Sequence, residues 1–198
     1  MEELKRLEEI YEPDERQKNL CNLNKETGEI RKMVLEDYHH MAEGIMLHSG
    51  VPEVVRDQFE TARNLIVYSW FYYPFNVTAQ LQAITCVELA LKIKANCGFV
   101  SKGRPLGLKE LLIKAVSEGW ITDKGFAQVR EIKIQDTGKV KFRKLNGEVV
   151  SSYCETVIEG LPQIRNYLMH GERLLHSQGA DWVDKCAEII NQLFEVVE

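Results

Sequence analysis

Apolar positions recur at helical spacing along most of the chain. From Pro52, a pattern of Val54, Val55, Phe59, Ala62, Leu65 and Ile66 runs into Trp70 and stops ahead of Pro74. Proline at the first helical position followed by the acidic Glu53 suits a helix start, and a residue that precedes proline is steered out of the helical region. A second helix is predicted over Val77 to Ala95. Its apolar residues Leu81, Ile84, Val87, Leu91 and Ile93 are too many for one narrow stripe, so it should be buried on most sides, with Gly98 as its stop. After a loop at Gly103 to Gly107, Leu108, Leu111, Leu112, Ala115 and Val116 mark a shorter helix ending near Gly119. Helical character returns at Ser152 or Cys154, with Pro162 at an internal break or a fresh start. A final stripe of Trp182, Cys186, Ile189, Ile190, Leu193 and Val197 closes the chain.

The two ends of this pattern differ. Glu2 to Glu12 reads as a charged amphipathic helix with Leu4, Leu7 and Ile10 on one side, ended by Pro13. A polar loop region runs from Asp14 to Gly28, and a further helix is expected from Ile30 to Leu47. Between Thr122 and Val150 the helical period is lost. Alternation from Lys139 to Lys144, followed by Asn146-Gly147, signals a hairpin, with a disordered loop as the other reading. The expected architecture is all-α: an up-and-down helical bundle over residues 52–198, preceded by a helical extension over residues 1–51, with a small β-hairpin insertion near 132–151.

Composition adds few constraints. A chain of 198 residues with 44% hydrophobic and 28% charged positions can bury a core without staples. The charge-free run from Asn64 to Cys86 is interrupted by Ser69, Asn76, Thr78, Gln80 and Gln82 and split by Pro74. It is therefore read as core, since a bilayer span needs about 20 predominantly apolar residues. The charged N-terminus has no apolar signal-peptide region, and five scattered cysteines form no Cys-x-x-Cys. Both points fit a cytoplasmic protein with reduced thiols. His39 and Glu43 sit at i, i+4 near His40, yet the remaining ligands of a zinc site are missing, so a solvent-facing pair is expected. The chain has no phosphate-binding glycine motif, and no metal or cofactor is expected.

Charge is uneven. The chain carries a net −5, but Lys124 to Lys144 holds seven basic residues against two acidic ones. Lys139, Lys141, Arg143 and Lys144 within it are candidates for holding a phosphate backbone, with a solvated loop surface as the alternative.

Chemistry concentrates between Leu161 and Gly171, where Arg165 is followed by Asn166 and, four residues later, by His170. Asn166 and His170 share a helix face at i, i+4. Arg165 and His170, at i, i+5, stand about 140° and roughly 7.5 Å apart on an ideal helix. Convergence would need the reach of arginine, an irregularity near Pro162 or Gly171, or a second copy across a two-fold axis. These residue types suit RNA scission without a metal. Histidine can take the proton of the 2′-hydroxyl or return one to the leaving 5′-oxygen, arginine can stabilise charge at phosphorus, and asparagine can orient either partner.

The Arg-Asn-x-x-x-His pattern with Gly171 after it resembles the signature of the HEPN superfamily. The segments from Ala62 to Tyr73 and from Leu81 to Lys92 resemble the first helix pair of such proteins, and Ile189 to Phe194 their closing helix. The resemblance spans roughly Pro52 to Glu198. It implies an α-helical bundle that forms a homodimer through the motif-bearing helix. It also implies metal-independent endoribonuclease activity on an RNA substrate, often as a toxin or defence effector paired with a nucleotidyltransferase-type antitoxin. By position, Arg165, Asn166 and His170 match the motif, and Glu88 is placed to face Arg165 and fix its side chain. The rival expectation is a non-catalytic dimeric module that binds a nucleotide, RNA or a partner protein. Arg63-Asn64 repeats the first half of the motif without a histidine and is read as helix surface. The aromatic run Trp70 to Tyr73 is read as core or dimer seam.

Overall fold

A computed structural model describes residues 3–24, 27–96, 100–101, 104–127, 144–145, 148–149, 153–171 and 178–195. Among these the α-helices are α1 (Leu35–Gly44), α2 (Glu53–Tyr68), α3 (Phe75–Ala95), α4 (Leu108–Ser117), α5 (Tyr153–Met169) and α6 (Gly179–Phe194). The protein is mainly helical, as the periodicity predicts, and no described helix is long and apolar enough to cross a membrane.

α3 is the central helix and packs on α2, α4, α5 and α6. Its buried residues Ala79, Ala83, Ile84, Cys86, Val87, Ala90 and Leu91 point to several sides, which explains why no single stripe is visible in its sequence. α6 runs parallel to it. Gly179 at the start of α6 leaves no room for a Cβ, which would fall 2.9 Å from the Cα of Asn76, while at the far end Lys94 lies 5.8 Å from the ring of Phe194. α2 crosses α3 in the opposite sense, with Gln82 Nε2 donating to the carbonyl of Gln58. Ile66, Phe59, Leu112, Phe126, Ile189, Ile190 and Leu193 complete a continuous apolar core. Burial pushes the thiol of Cys86 up to about 11 and that of Cys154 up to about 12, so both serve as small protonated packing groups.

The described residues include three two-stranded antiparallel ribbons, one ahead of α1 and two between later helices. The strands β5 (Lys144–Leu145) and β6 (Glu148–Val149) pair in the register Lys144↔Val149 and Leu145↔Glu148. Asn146 and Gly147, the expected turn, lie outside the described residues. The rest of the predicted insertion, including Lys139, Lys141 and Arg143, lies outside the described residues. Val100–Ser101 (β3) pairs with Arg104–Pro105 (β4) where a plain loop was expected. Gly98 also lies outside the description; the last turn of α3 ends instead on Asn96 with φ +38°.

The N-terminal region differs from expectation in two places. Only Leu7–Glu9 forms a 3-10 turn within the predicted Glu2 to Glu12 helix. Leu4, Leu7 and Tyr11 are exposed, so the amphipathic face has no surface to bury against, and a helix this short is marginal in water by itself. The predicted Ile30 to Leu47 helix begins only at Leu35. Ile30–Lys32 (β2) instead pairs with Cys21–Leu23 (β1) around a turn where Gly28, at φ +72°, takes a conformation favourable to glycine. The Asp37 carboxylate accepts from the Val34 N–H at 2.8 Å and from Arg31 at 2.7 Å, fixing the helix start. The Arg31 guanidinium and the Val34 N–H hold the Asp37 carboxyl down near about 2 against the effect of burial.

Asp14 ties this region to the bundle. Its carboxylate accepts from Arg16 Nε and Nη2, both at 2.8 Å, and from the Tyr73 N–H at 3.0 Å. Burial raises its pKa, but the Arg16 guanidinium and two backbone N–H groups outweigh burial and bring it to about 2, below the ordinary 3.8. A depressed carboxylate stabilises the fold fully above its unfolded pKa and loses that contribution as pH falls through the folded one. Asp14 should therefore contribute on the order of 2 kcal/mol at neutral pH, lost between about pH 4 and pH 2. The urea midpoint should fall less between pH 6 and pH 3 in Asp14→Asn than in the native chain. An equal fall would remove Asp14 from the acid transition.

Candidate functional site

α5 enters the bundle through an apolar stripe. Leu161 and Leu168 are buried and Ile164 packs beside them, leaving Gln163, Asn166, Met169 and His170 on the outer side. Pro162 lies within the helix and cannot donate to the carbonyl one turn back, yet α5 continues through it to Met169. His170 follows in the terminal turn, its N–H donating to the carbonyl of Asn166 at 2.9 Å. Gly171 then takes φ +79°, a left-handed ending that favours glycine.

Arg165 turns toward α3. Its Nη2 lies 3.6 Å from Glu88 Oε2, and its Nη1 donates to the Asn166 Oδ1 at 3.3 Å. Glu88 is 17% exposed and also accepts from Lys92 Nζ at 2.6 Å. One carboxylate thus faces two cations, which leaves the group net positive and aims the guanidinium across the α3–α5 junction. A half-exposed pair of this kind adds little to stability, under about 1 kcal/mol, and its effect is to restrict where Arg165 points. The arrangement brings together Arg165, Asn166 and Glu88. The imidazole of His170 is exposed, and among the described residues no hydrogen bond or ion pair engages it. Lys92 is an addition to the expected set, and its signal was present in the sequence, since Glu88 and Lys92 form an i, i+4 pair. Of the expected RNA-contacting residues, Lys144 lies on β5, where only the backbone is described, and the other three lie outside the described residues.

The two decoys have structural partners. Arg63 Nε donates to the Ala42 carbonyl at 2.9 Å and Nη1 to Glu60 at 2.6 Å, clamping α2 to the end of α1. Within the aromatic run, Tyr73 is buried and Trp70 packs on Tyr38 with ring centroids 5.5 Å apart, whereas Phe71 and Tyr72 remain half-exposed. A groove of about 720 Å³ between α5 and α6 is lined by Thr156, Gly160, Ile164, Trp182 and Lys185, among others, and does not include the motif side chains. Among the described residues Asn166 and His170 are exposed and Arg165 is half-buried against α3, a setting that suits a polymer or another protein better than an enclosed small molecule.

Comparison with protein-family models, with curated proteins and with solved structures returns no match, so the functional reading rests on these residues and their placement.

Proposed function

We propose that this chain is a metal-independent endoribonuclease of the HEPN type, acting in the cytoplasm as a toxin or defence effector. The observation that carries the reading is the end of α5. There Arg165, oriented by Glu88, adjoins Asn166, and the exposed His170 imidazole, without a bond among the described residues, follows four residues after Asn166. In the proposed reaction the 2′-hydroxyl of RNA loses its proton and its oxygen bonds to the adjacent phosphorus. The bond to the 5′-oxygen breaks, and that oxygen gains a proton. The products are a 2′,3′-cyclic phosphate and a 5′-hydroxyl end. His170 serves as general acid or base, Arg165 neutralises charge on the phosphate oxygens, and Asn166 orients them. A homodimer through α5 would set two such groups on one RNA path, with Lys139, Lys141, Arg143 and Lys144 as the approach surface. Under this reading an antitoxin of the nucleotidyltransferase type is the expected partner.

A second reading, a non-catalytic dimeric or scaffolding module, is favoured by one observation. Tyr167 and Met169, on the same turns as the motif, are exposed, as expected for an interface helix. The purified chain should cleave a mixed RNA substrate in EDTA and leave cyclic-phosphate and 5′-hydroxyl ends, and Arg165→Ala should remove that activity. In cells, expression of the native chain should slow growth and Arg165→Ala should relieve it. A folded, dimeric, inactive chain that is harmless on expression would favour the scaffold.

A further inference from the structure

Lys92 meets the motif from a different helix. Its Nζ donates to Glu88 Oε1 at 2.6 Å, while Arg165 Nη2 lies 3.6 Å from the other oxygen of the same carboxylate, Oε2. Lys92 on α3 and Arg165 on α5 therefore converge on one anion with two equivalent oxygens. That anion is the deepest member of the group. Side-chain exposure is 17% for Glu88, 33% for Lys92 and 37% for Arg165, so a ligand arriving from solvent meets the two cations first. Both cations have donors to spare. An ammonium has three N–H groups, and Lys92 gives one to Glu88; a guanidinium has five, and Arg165 gives one to Asn166. Among the described residues neither cation pairs with a second carboxylate.

Charge decides what completes the group. Two cations and one carboxylate sum to +1, in a chain whose net charge is −5. A phosphodiester carries one negative charge over two equivalent non-bridging oxygens. It matches the surplus, and it has the two-oxygen form of the carboxylate that these cations already face. We propose that Lys92 is a second phosphate-binding residue of this site, gripping the same RNA phosphate as Arg165. The inference rests on the ribonuclease reading of α5, which makes that phosphate the scissile one. Attack by the 2′-oxygen drives further negative charge onto the non-bridging oxygens. Two cations held in place there stabilise the transition state more than the bound substrate. Glu88 beneath them offsets their mutual repulsion, which lets both stand beside one phosphate.

The test uses the full chain and a short fluorescent 2′-O-methyl RNA, which lacks the attacking hydroxyl and stays intact. Binding is followed by anisotropy across a salt series. Each phosphate neutralised on a single strand adds a slope of about 0.7 in log K against log salt. Lys92→Gln should therefore lower the native slope by about 0.7 and weaken binding about fivefold at about 0.1 M salt. Lys92→Arg should restore the slope. Lys94→Gln removes the same charge from the same helix, on the side of Trp120 and Phe194, and should leave the slope unchanged. Because one phosphate is shared, Arg165→Gln should lower the slope equally, and the double variant Lys92→Gln/Arg165→Gln no further than either. With unmodified RNA at saturation, Lys92→Gln should cleave at least about tenfold more slowly. The inference is overturned by an unchanged slope in Lys92→Gln, by additive losses in the double variant, or by no saturable RNA binding to the native chain. A poly-glutamate peptide that displaces the RNA at equal charge would also overturn it, in favour of an acidic protein partner. A native chain that shows the predicted slopes but cleaves no RNA keeps the shared phosphate and removes the ribonuclease reading instead.

Discussion

Replacing His170 with alanine should lower RNA cleavage by about a hundred- to ten-thousand-fold, the span that a positioned general acid or base contributes. The fold should not notice the change. His170 is exposed, its imidazole makes no bond among the described residues, and its backbone N–H bond to Asn166 survives substitution. The unfolding midpoint should therefore stay within about 0.5 kcal/mol of the native value. This separation makes the measurement decisive, because a lost activity cannot then be blamed on a lost structure. Glu88→Gln should have a smaller effect of a different kind. It keeps the shape and removes the charge that holds Arg165 near α3, so it should act through the placement of Arg165 on the phosphate. Its cleavage defect should shrink in a background that already carries Arg165→Ala, since two residues acting as one unit are not additive. Independent, additive losses would separate Glu88 from Arg165 despite their 3.6 Å approach. Cleavage that persists in His170→Ala would defeat the proposed chemistry outright.

The parts of this fold legible in the sequence are those where local pattern and burial agree. α2, α4 and α6 each bury one stripe, and α3, apolar on several faces, is the helix that the others surround. The ribbon at β5 and β6 was legible because a two-residue turn chemistry sits between two extended pairs. The N-terminal region was not, and for a physical reason. Leu4, Leu7 and Ile10 have helical spacing, but spacing specifies a helix only where there is a surface to bury it on, and these side chains remain in solvent. Ile30–Lys32 stands as a strand ahead of the helix rather than within it. Its real partner is Cys21–Leu23, and a pairing between residues that are individually exposed leaves no hydrophobic period to detect. At the candidate site the order of legibility is reversed. The identities of Arg165, Asn166 and His170 are plain from the chain, and the Glu88–Lys92 pair follows from i, i+4 spacing within α3, whereas the approach of Glu88 to Arg165 depends on how α5 crosses α3.

Phe126→Ala should be the most damaging single change to the fold, destabilising it by about 3–5 kcal/mol. Phe126 is fully buried, and its ring lies 4.6 Å from that of Tyr153 in the first turn of α5. The residues around it act as a strap between helices. The Thr122 N–H donates to Gln192 at 2.9 Å and the Ala127 N–H to Glu188 at 2.8 Å, both on α6, while Asp123 accepts from the Cys154 N–H at 2.9 Å. The phenyl ring fills the space these bonds enclose. Alanine would leave a cavity that the strap cannot close without giving up hydrogen bonds to two different helices, so partial collapse offers little relief. Phe126→Leu keeps most of the volume and should cost less than about 1.5 kcal/mol. Urea unfolding of the two variants gives the comparison, and amide exchange locates the damage: protection should fall first in the opening turns of α5 and last in α3. The motif lies at the opposite end of α5, anchored by Leu161 and Leu168, so cleavage per folded molecule should be nearly unchanged. A midpoint shift under about 1 kcal/mol for the alanine variant would mean that the strap's hydrogen bonds, rather than the ring, hold the start of α5 in place.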